Sequence, residues 1–295
     1  MSGLPESSGP YTRAEPPRTG EAQSDGDRDF DARALEAEVS RISAAREGVY
    51  GVLVFEPGTG QTVAVNADEE FEAASLAKLY TMLALYRAVD RGELRLEEEI
   101  SIQPTDVAGY GTGVLHNYPA GYQMTLRECV EYLIRESDNT AWVMLNRLLG
   151  EEEIQREVDE IGLQKTDYSG YTTTPDDVLT ALRAIADPAF TSEGLSGEML
   201  EYMTGTAYED RIPEPLPEGA RVAHKIGSYG SSHSDAGIVY PQSGGEYYLV
   251  ILSTEAQEED ARQAMQEISL ATYRSIAGYY YAPPPPTPGD QAAGR

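Results

Sequence analysis

Leu35, Val39, Ile42 and Ala45 recur at helical spacing and Gly48 follows as a stop, so the first apolar pattern in the chain predicts a helix. Val49 to Phe55 and Gln61 to Val65 read as strands, because Glu56-Pro57-Gly58-Thr59-Gly60 between them is turn chemistry. A second helix is predicted from Ser75 to about Asp90, with Leu76, Leu79, Leu83, Tyr86, Ala88 and Val89 as its apolar side and Gly92 at its end. Further helices are predicted at Leu126 to Glu136, Thr140 to Leu149, Glu151 to Ile161, Asp176 to Ala186 and Gly197 to Met203. Strand character returns in Arg221 to Lys225, Ala236 to Tyr240 and Tyr247 to Ser253, before a final helix from about Glu258 to Ile276.

This order predicts an α/β (α+β) fold: one antiparallel sheet of about five strands built from both chain ends, flanked by helices, with an inserted all-helical subdomain. A site would lie at the junction of the two parts. No solenoid-type repeat is visible, so residues 31–278 form one catalytic unit. Residues 1–30, rich in Pro, Gly, Ser and charge, predict a disordered lead-in, and residues 279–295, with Pro283 to Pro286, a disordered proline-rich tail.

Composition narrows the function. With 22 basic and 50 acidic residues the formal charge is −28, which repels phosphate backbones and anionic lipid. Nucleic acid is therefore not expected as a partner, whereas solubility at high ionic strength would be natural. Cys129 is the only cysteine, which rules out an intramolecular disulfide and a cysteine-rich zinc site. His116, His224 and His233 show no His-x-x-x-His spacing, so no metal or other cofactor is implied. No apolar run reaches the length of a membrane span, and the N-terminus lacks the pattern of a secretory signal.

The chain has nineteen arginines and only three lysines, Lys78, Lys165 and Lys225. Lysine, unlike arginine, can be driven neutral by burial and nearby positive charge. Lys78 closes Ser75-Leu76-Ala77-Lys78 at a predicted helix start, where residues three apart share a face. Ser137-Asp138-Asn139 stands between two predicted helices, and Lys225-Ile226-Gly227 ends a predicted strand. Singly these read as an N-cap serine, a capping turn and a strand end. In this order they point to a serine nucleophile worked by a lysine.

Together with Thr125-Leu126-Arg127-Glu128, Thr172-Thr173-Thr174-Pro175 and Val222-Ala223-His224 ahead of Lys225, these motifs resemble the penicillin-recognising serine hydrolases. The resemblance is to the class A β-lactamase branch, over residues 31–278. It implies a β-lactamase/transpeptidase-like fold and an acyl-enzyme on Ser75. Lys78 would be the base, Ser137 the proton donor to the leaving nitrogen, Lys225 its support, and Asn139 the group orienting Lys78 and the substrate amide. The backbone N–H groups of Ser75 and Ser228 would form the oxyanion hole, with Gly227, Ser228 and Arg211 around the substrate. The resemblance also implies an extracytoplasmic setting, which the absent signal pattern does not match.

Two departures stand out. The family's water-activating loop glutamate is missing from Gly162 to Thr174, where the only carboxylate is Asp167. Asp167 either substitutes for it, caps a turn or meets Lys165. Ile226 stands where the family carries Thr or Ser for the substrate carboxylate, a gap that Arg211 would fill unless it is simply exposed. His224 and His233 read as packing or polar loop residues. Three functions stay open: β-lactam ring opening with impaired or altered deacylation, a D-Ala-D-Ala type peptidase or amidase on cell-wall peptides, and a binding or sensing module without turnover.

Overall fold

The structure, a computed structural model, describes residues 30–281, with side chains to residue 278. The expectations of disorder for residues 1–29 and 282–295 lie outside the described residues. Phe30, assigned to the lead-in from sequence, is instead buried against the first and last helices.

Helix α1 (Ala32–Ala44), capped by Asp31, leads into hairpin β1 (Val49–Glu56) and β2 (Gln61–Val65). The buried Glu56 carboxylate closes that turn by accepting from the amides of Gly58 and Thr59 and the Thr59 hydroxyl. Next come β3 (Phe71–Glu72), a 3-10 turn (Ala74–Leu76) and α2 (Ala77–Asp90). The helical body then holds β4 (Glu99–Ser101), β5 (Gln123–Thr125), α3 (Leu126–Arg135), α4 (Asn139–Leu149) and α5 (Glu151–Ile161). It closes with β6 (Thr172–Thr173), α6 (Pro175–Ala186) and α7 (Glu193–Tyr202). The chain returns to the sheet as β7 (Arg221–Tyr229), β8 (Ser232–Tyr240) and β9 (Tyr247–Thr254) and finishes in α8 (Glu258–Tyr281).

Sheet order is β2-β1-β9-β8-β7 with every pair antiparallel, so one sheet of five strands is built from both chain ends as the sequence predicts. Alternation along each strand buries both faces. Val52, Val54, Val222, Leu249 and Ile251 pack under α1 and α8, while Leu53, Ala223, Val250 and Leu252 face the helical body.

Three differences from the sequence expectations have physical causes. Helix α2 is buried on every side from Ala77 to Tyr86, not on one, because it runs through the middle of the helical body. Strands β7 and β8 continue to Tyr229 and from Ser232, through the polar run after Lys225 that reads as loop. Backbone pairing across the Gly230 turn overrides weak side-chain propensity there. Helix α7 starts at Glu193, capped by the Ser192 hydroxyl, four residues before the predicted start; Gly194 and Gly197 obscure it in the sequence. The last helix also runs five residues past Ile276. Among the described residues no helix is long and apolar enough to cross a membrane, and no cluster of His, Cys, Asp and Glu could hold a metal.

Candidate active site

Ser75 sits in the 3-10 turn rather than capping α2, for neither element has a side-chain cap bond at its N-terminus. Ala74 before it adopts φ 45, a left-handed conformation costing about 1 to 3 kcal/mol in a residue with a Cβ. The turn is braced from two sides. The Ala73 amide donates to the Tyr171 carbonyl at 2.7 Å, and β7 presses against the turn at Gly227. A Cβ on Gly227 would lie 3.0 Å from the Ala73 carbonyl oxygen, so glycine is what permits the strand to approach the serine so closely.

One turn of helix on, Lys78 is completely buried. Its Nζ lies 3.2 Å from Ser75 Oγ, 2.5 Å from the Ser137 carbonyl oxygen, 3.2 Å from Ser137 Oγ and 2.7 Å from Asn139 Oδ1. Burial, then the charge of Lys225, hold the Lys78 amine well below the usual lysine range, with Asp138 opposing them. A neutral amine has two N–H donors and one lone pair. The obligate acceptors, Ser137 O and Asn139 Oδ1, use the donors and leave the lone pair to the Ser75 or Ser137 hydroxyl.

The Ser137-Asp138-Asn139 motif divides its labour. Asp138 is the N-cap of α4, accepting from Ala141, and its other oxygen accepts from the amides of Val114 and Leu115. Ser137, at φ 50, and Asn139 turn towards Lys78. Lys225 Nζ donates to Ser137 Oγ at 2.9 Å and to the Ile226 carbonyl at 3.1 Å, so all three motifs meet. Burial brings Lys225 down to about 7, with Asp235 opposing and Arg211 adding to the fall.

Sequence reasoning missed the loop that cradles this motif, although the alternation Gly109, Gly111, Gly113 was its visible signal. Asn139 N donates to the Thr112 carbonyl, Thr112 Oγ1 to the Ser137 carbonyl, and Asn139 Nδ2 to the Tyr110 carbonyl. A Cβ on Gly111, at φ +78, would collide with Asn139 Nδ2. Gly111→Ala is therefore expected to displace Asn139 and slow acylation of Ser75 by about 100-fold, measured as adduct formation with a penicillin by intact mass.

A profile of the β-lactamase enzyme family matches residues 34–276, from within α1 to within α8. This chain belongs to that family. It is a β-lactamase-like serine hydrolase. It is 29% identical over 255 residues to a β-lactamase of Streptomyces albus G, covering 79% of this chain and 80% of that protein. A crystal structure of a β-lactamase from Sphaerobacter thermophilus matches with a TM-score of 0.77 and 28% identity, covering 84% of this chain and 98% of that one. A mutant of PBP-A, solved as an acyl-enzyme complex with penicillin G, matches with a TM-score of 0.78 and 26% identity over 83% and 97% of the two chains.

Against the β-lactamase pattern, Asp167 caps a turn: its carboxylate accepts from the Gly170 amide at 2.8 Å, and its backbone pairs with Thr172. Lys165 turns to the Asp68 carbonyl instead. Arg211 is not an exposed arginine. It is buried, with Nη1 donating to the carbonyls of Gly227 and Ser234 and Nη2 donating to Ser228 Oγ at 2.6 Å. Ser228 stands two residues after Ile226 on the same strand face.

Two aromatic residues also escaped the sequence reading. The Trp142 ring centroid lies 5.2 Å from Lys78 Nζ. Its indole N–H donates to Thr81 Oγ1 and Tyr168 OH, and Tyr171 meets its ring edge to face at 5.8 Å. The histidine reading needs correction as well. His224 is fully buried with its Nδ1 2.8 Å from Asp235 and its Nε2 3.3 Å from Glu209, while His233 Nδ1 lies 3.4 Å from Ser228 Oγ.

Proposed function

We propose that this protein opens β-lactam rings by forming an acyl ester on Ser75 and clears that ester slowly. The observation that carries the reading is the convergence on Lys78 Nζ of Ser75, Ser137 and Asn139, with Lys225 on the far side of Ser137. The Ser75 hydroxyl gives its proton to neutral Lys78 as Oγ bonds to the carbonyl carbon. The carbonyl oxygen takes up charge facing the backbone N–H groups of Ser75 and Ser228, where one such donor is worth about 3 to 4 kcal/mol. The C–N bond breaks as Ser137 protonates the ring nitrogen, and the proton on Lys78 refills Ser137 across their 3.2 Å contact. Ser228 Oγ, oriented by Arg211, receives the substrate carboxylate in place of the hydroxyl that Ile226 lacks.

Slow clearance follows from what surrounds the ester. The partners of Lys78 Nζ are hydroxyl, carbonyl and amide oxygens, and the Trp142 ring covers a further side. Activating a water needs a base within hydrogen-bond reach, and the Asp167 carboxylate is turned to the Gly170 amide instead.

A second reading uses the same contacts among Ser75, Lys78 and Ser137, with the acyl group coming from a D-Ala-D-Ala type cell-wall peptide. Intact-protein mass after mixing with penicillin G separates the outcomes. A one-to-one adduct that forms within minutes and outlasts the free drug is expected. A short-lived adduct with hydrolysed penicillin accumulating would overturn slow clearance, and no adduct at all would overturn acylation by a β-lactam.

A further inference from the structure

Behind β7, on the face opposite Lys225, lies a chain of charges, with His224 and Asp235 buried, that the acylation scheme does not use. His224 is completely buried between two carboxylates. Its Nδ1 is 2.8 Å from Asp235 Oδ1 on β8, and its Nε2 is 3.3 Å from Glu209 Oε1 on the loop before β7. Asp235 returns to that same loop, for its Oδ2 accepts from the Ile212 amide at 2.9 Å. Glu209 in turn accepts from the Thr206 amide and hydroxyl. Between these two anchor points, Glu209 and Ile212, lies Arg211, whose guanidinium ends 2.6 Å from Ser228 Oγ.

We infer that the Glu209–His224–Asp235 chain is a latch that holds Arg211 against Ser228, making His224 a positioning residue for recognition of the substrate carboxylate. This rests on the proposed role of Ser228. The geometry explains why the latch uses a histidine. A planar ring that donates from both edges, once protonated, ties β7 simultaneously to its neighbour β8 and to the Arg211 loop. An uncharged residue would leave the buried Asp235 with no cation on this face. The loop has two lesser supports from α8, the Ser269 hydroxyl on the Ile212 carbonyl and Gln266 on the Asp210 carbonyl. Neither directs the guanidinium.

The charged groups facing His224 are Asp235 and Glu209. Lys225 follows it on the strand but points to the opposite face, and the Arg211 guanidinium is turned to Ser228. Against the cost of burial, the two carboxylates raise His224 to about 9. A raised histidine supports the latch fully below about 6.5, and the support is lost as pH rises through about 9.

The test compares acylation of Ser75 by penicillin G and by its uncharged methyl ester, followed by intact mass, in the whole chain and in His224→Gln. The wild type is expected to prefer the acid about 30-fold, roughly one charge-assisted contact, and to lose that preference above pH 9. His224→Gln is expected to lose most of the preference while its methyl ester rate changes less than about threefold, and His224→Arg to recover part of it. Hydrogen exchange of the Ile212 amide, which does not depend on acylation, should quicken in His224→Gln without change in the β1–β9 pairing. Equal loss on both donors, or unchanged exchange at Ile212, overturns the latch. Should His224→Gln not fold, Glu209→Gln on the partly exposed side must show the same direction. If the wild type takes label from neither donor, the acylation reading fails, and exchange at Ile212 alone decides the latch.

Discussion

Ser75→Ala will take no label from a penicillin, and acylation will fall on the order of 10⁶-fold, to background. The serine is partly exposed and its side chain bonds to Lys78, which keeps other partners, so removing its oxygen leaves no buried group stranded. The melting temperature should stay within about 4 °C of the wild type, the shift that about 1 kcal/mol produces in a domain of this size. Covalent label on the Ser75→Ala protein would sink the mechanism, because the other hydroxyl at Lys78, Ser137, is held between two lysine side chains and has another task.

Lys78→Arg should cost about 10³-fold in acylation at neutral pH while preserving a positive side chain. Arginine keeps its proton in any protein, so raising the pH to 10 should not restore the variant. The wild type behaves oppositely. Because burial and Lys225 hold Lys78 well below its usual value, its lone pair becomes available at a lower pH than an ordinary lysine's and is lost as pH falls through that lowered value. Acylation rates across pH 4 to 10 measure both effects. A variant that labelled at the wild-type rate would show that Lys78 only fills space.

The strands and helices were readable where apolar spacing is regular, as in α1, β1, β9 and α8. They were misread where pairing rather than side-chain character sets the structure, as in Ile226 to Asp235. The site was readable because Ser75, Lys78, Ser137, Asn139 and Lys225 fall in short ordered motifs. Arg211 could not be placed from sequence, since only the fold turns it behind Gly227. His224 was misjudged for the same reason: its partners lie eleven and fifteen residues away along the chain. Tyr171 and Trp142 come from separate segments and meet only when the short loop folds over α4.

Strain concentrates where these segments converge. Ala74, Ser137 and Tyr171 are three of the five non-glycine residues with positive φ among the described residues: Ala74 precedes Ser75, Ser137 contacts Lys78 and Tyr171 holds the Ala73 amide. Such conformations persist only when the surroundings over-determine them. Here those surroundings are the glycine loop, the Ala73–Tyr171 bond and β7.

Pairing β1 with β9 joins Val49 to Thr254, so during synthesis the amino-terminal hairpin must wait for almost the whole chain. The helical body can collapse earlier through its local contacts, carrying Ser75 and Lys78 with it. Gly227 and Lys225 arrive only with the late strands that brace the serine turn and reach Ser137. A chain interrupted on the ribosome before Arg221 would thus own a nucleophile and a base yet remain chemically silent, and reactivity would switch on with the closing of the sheet.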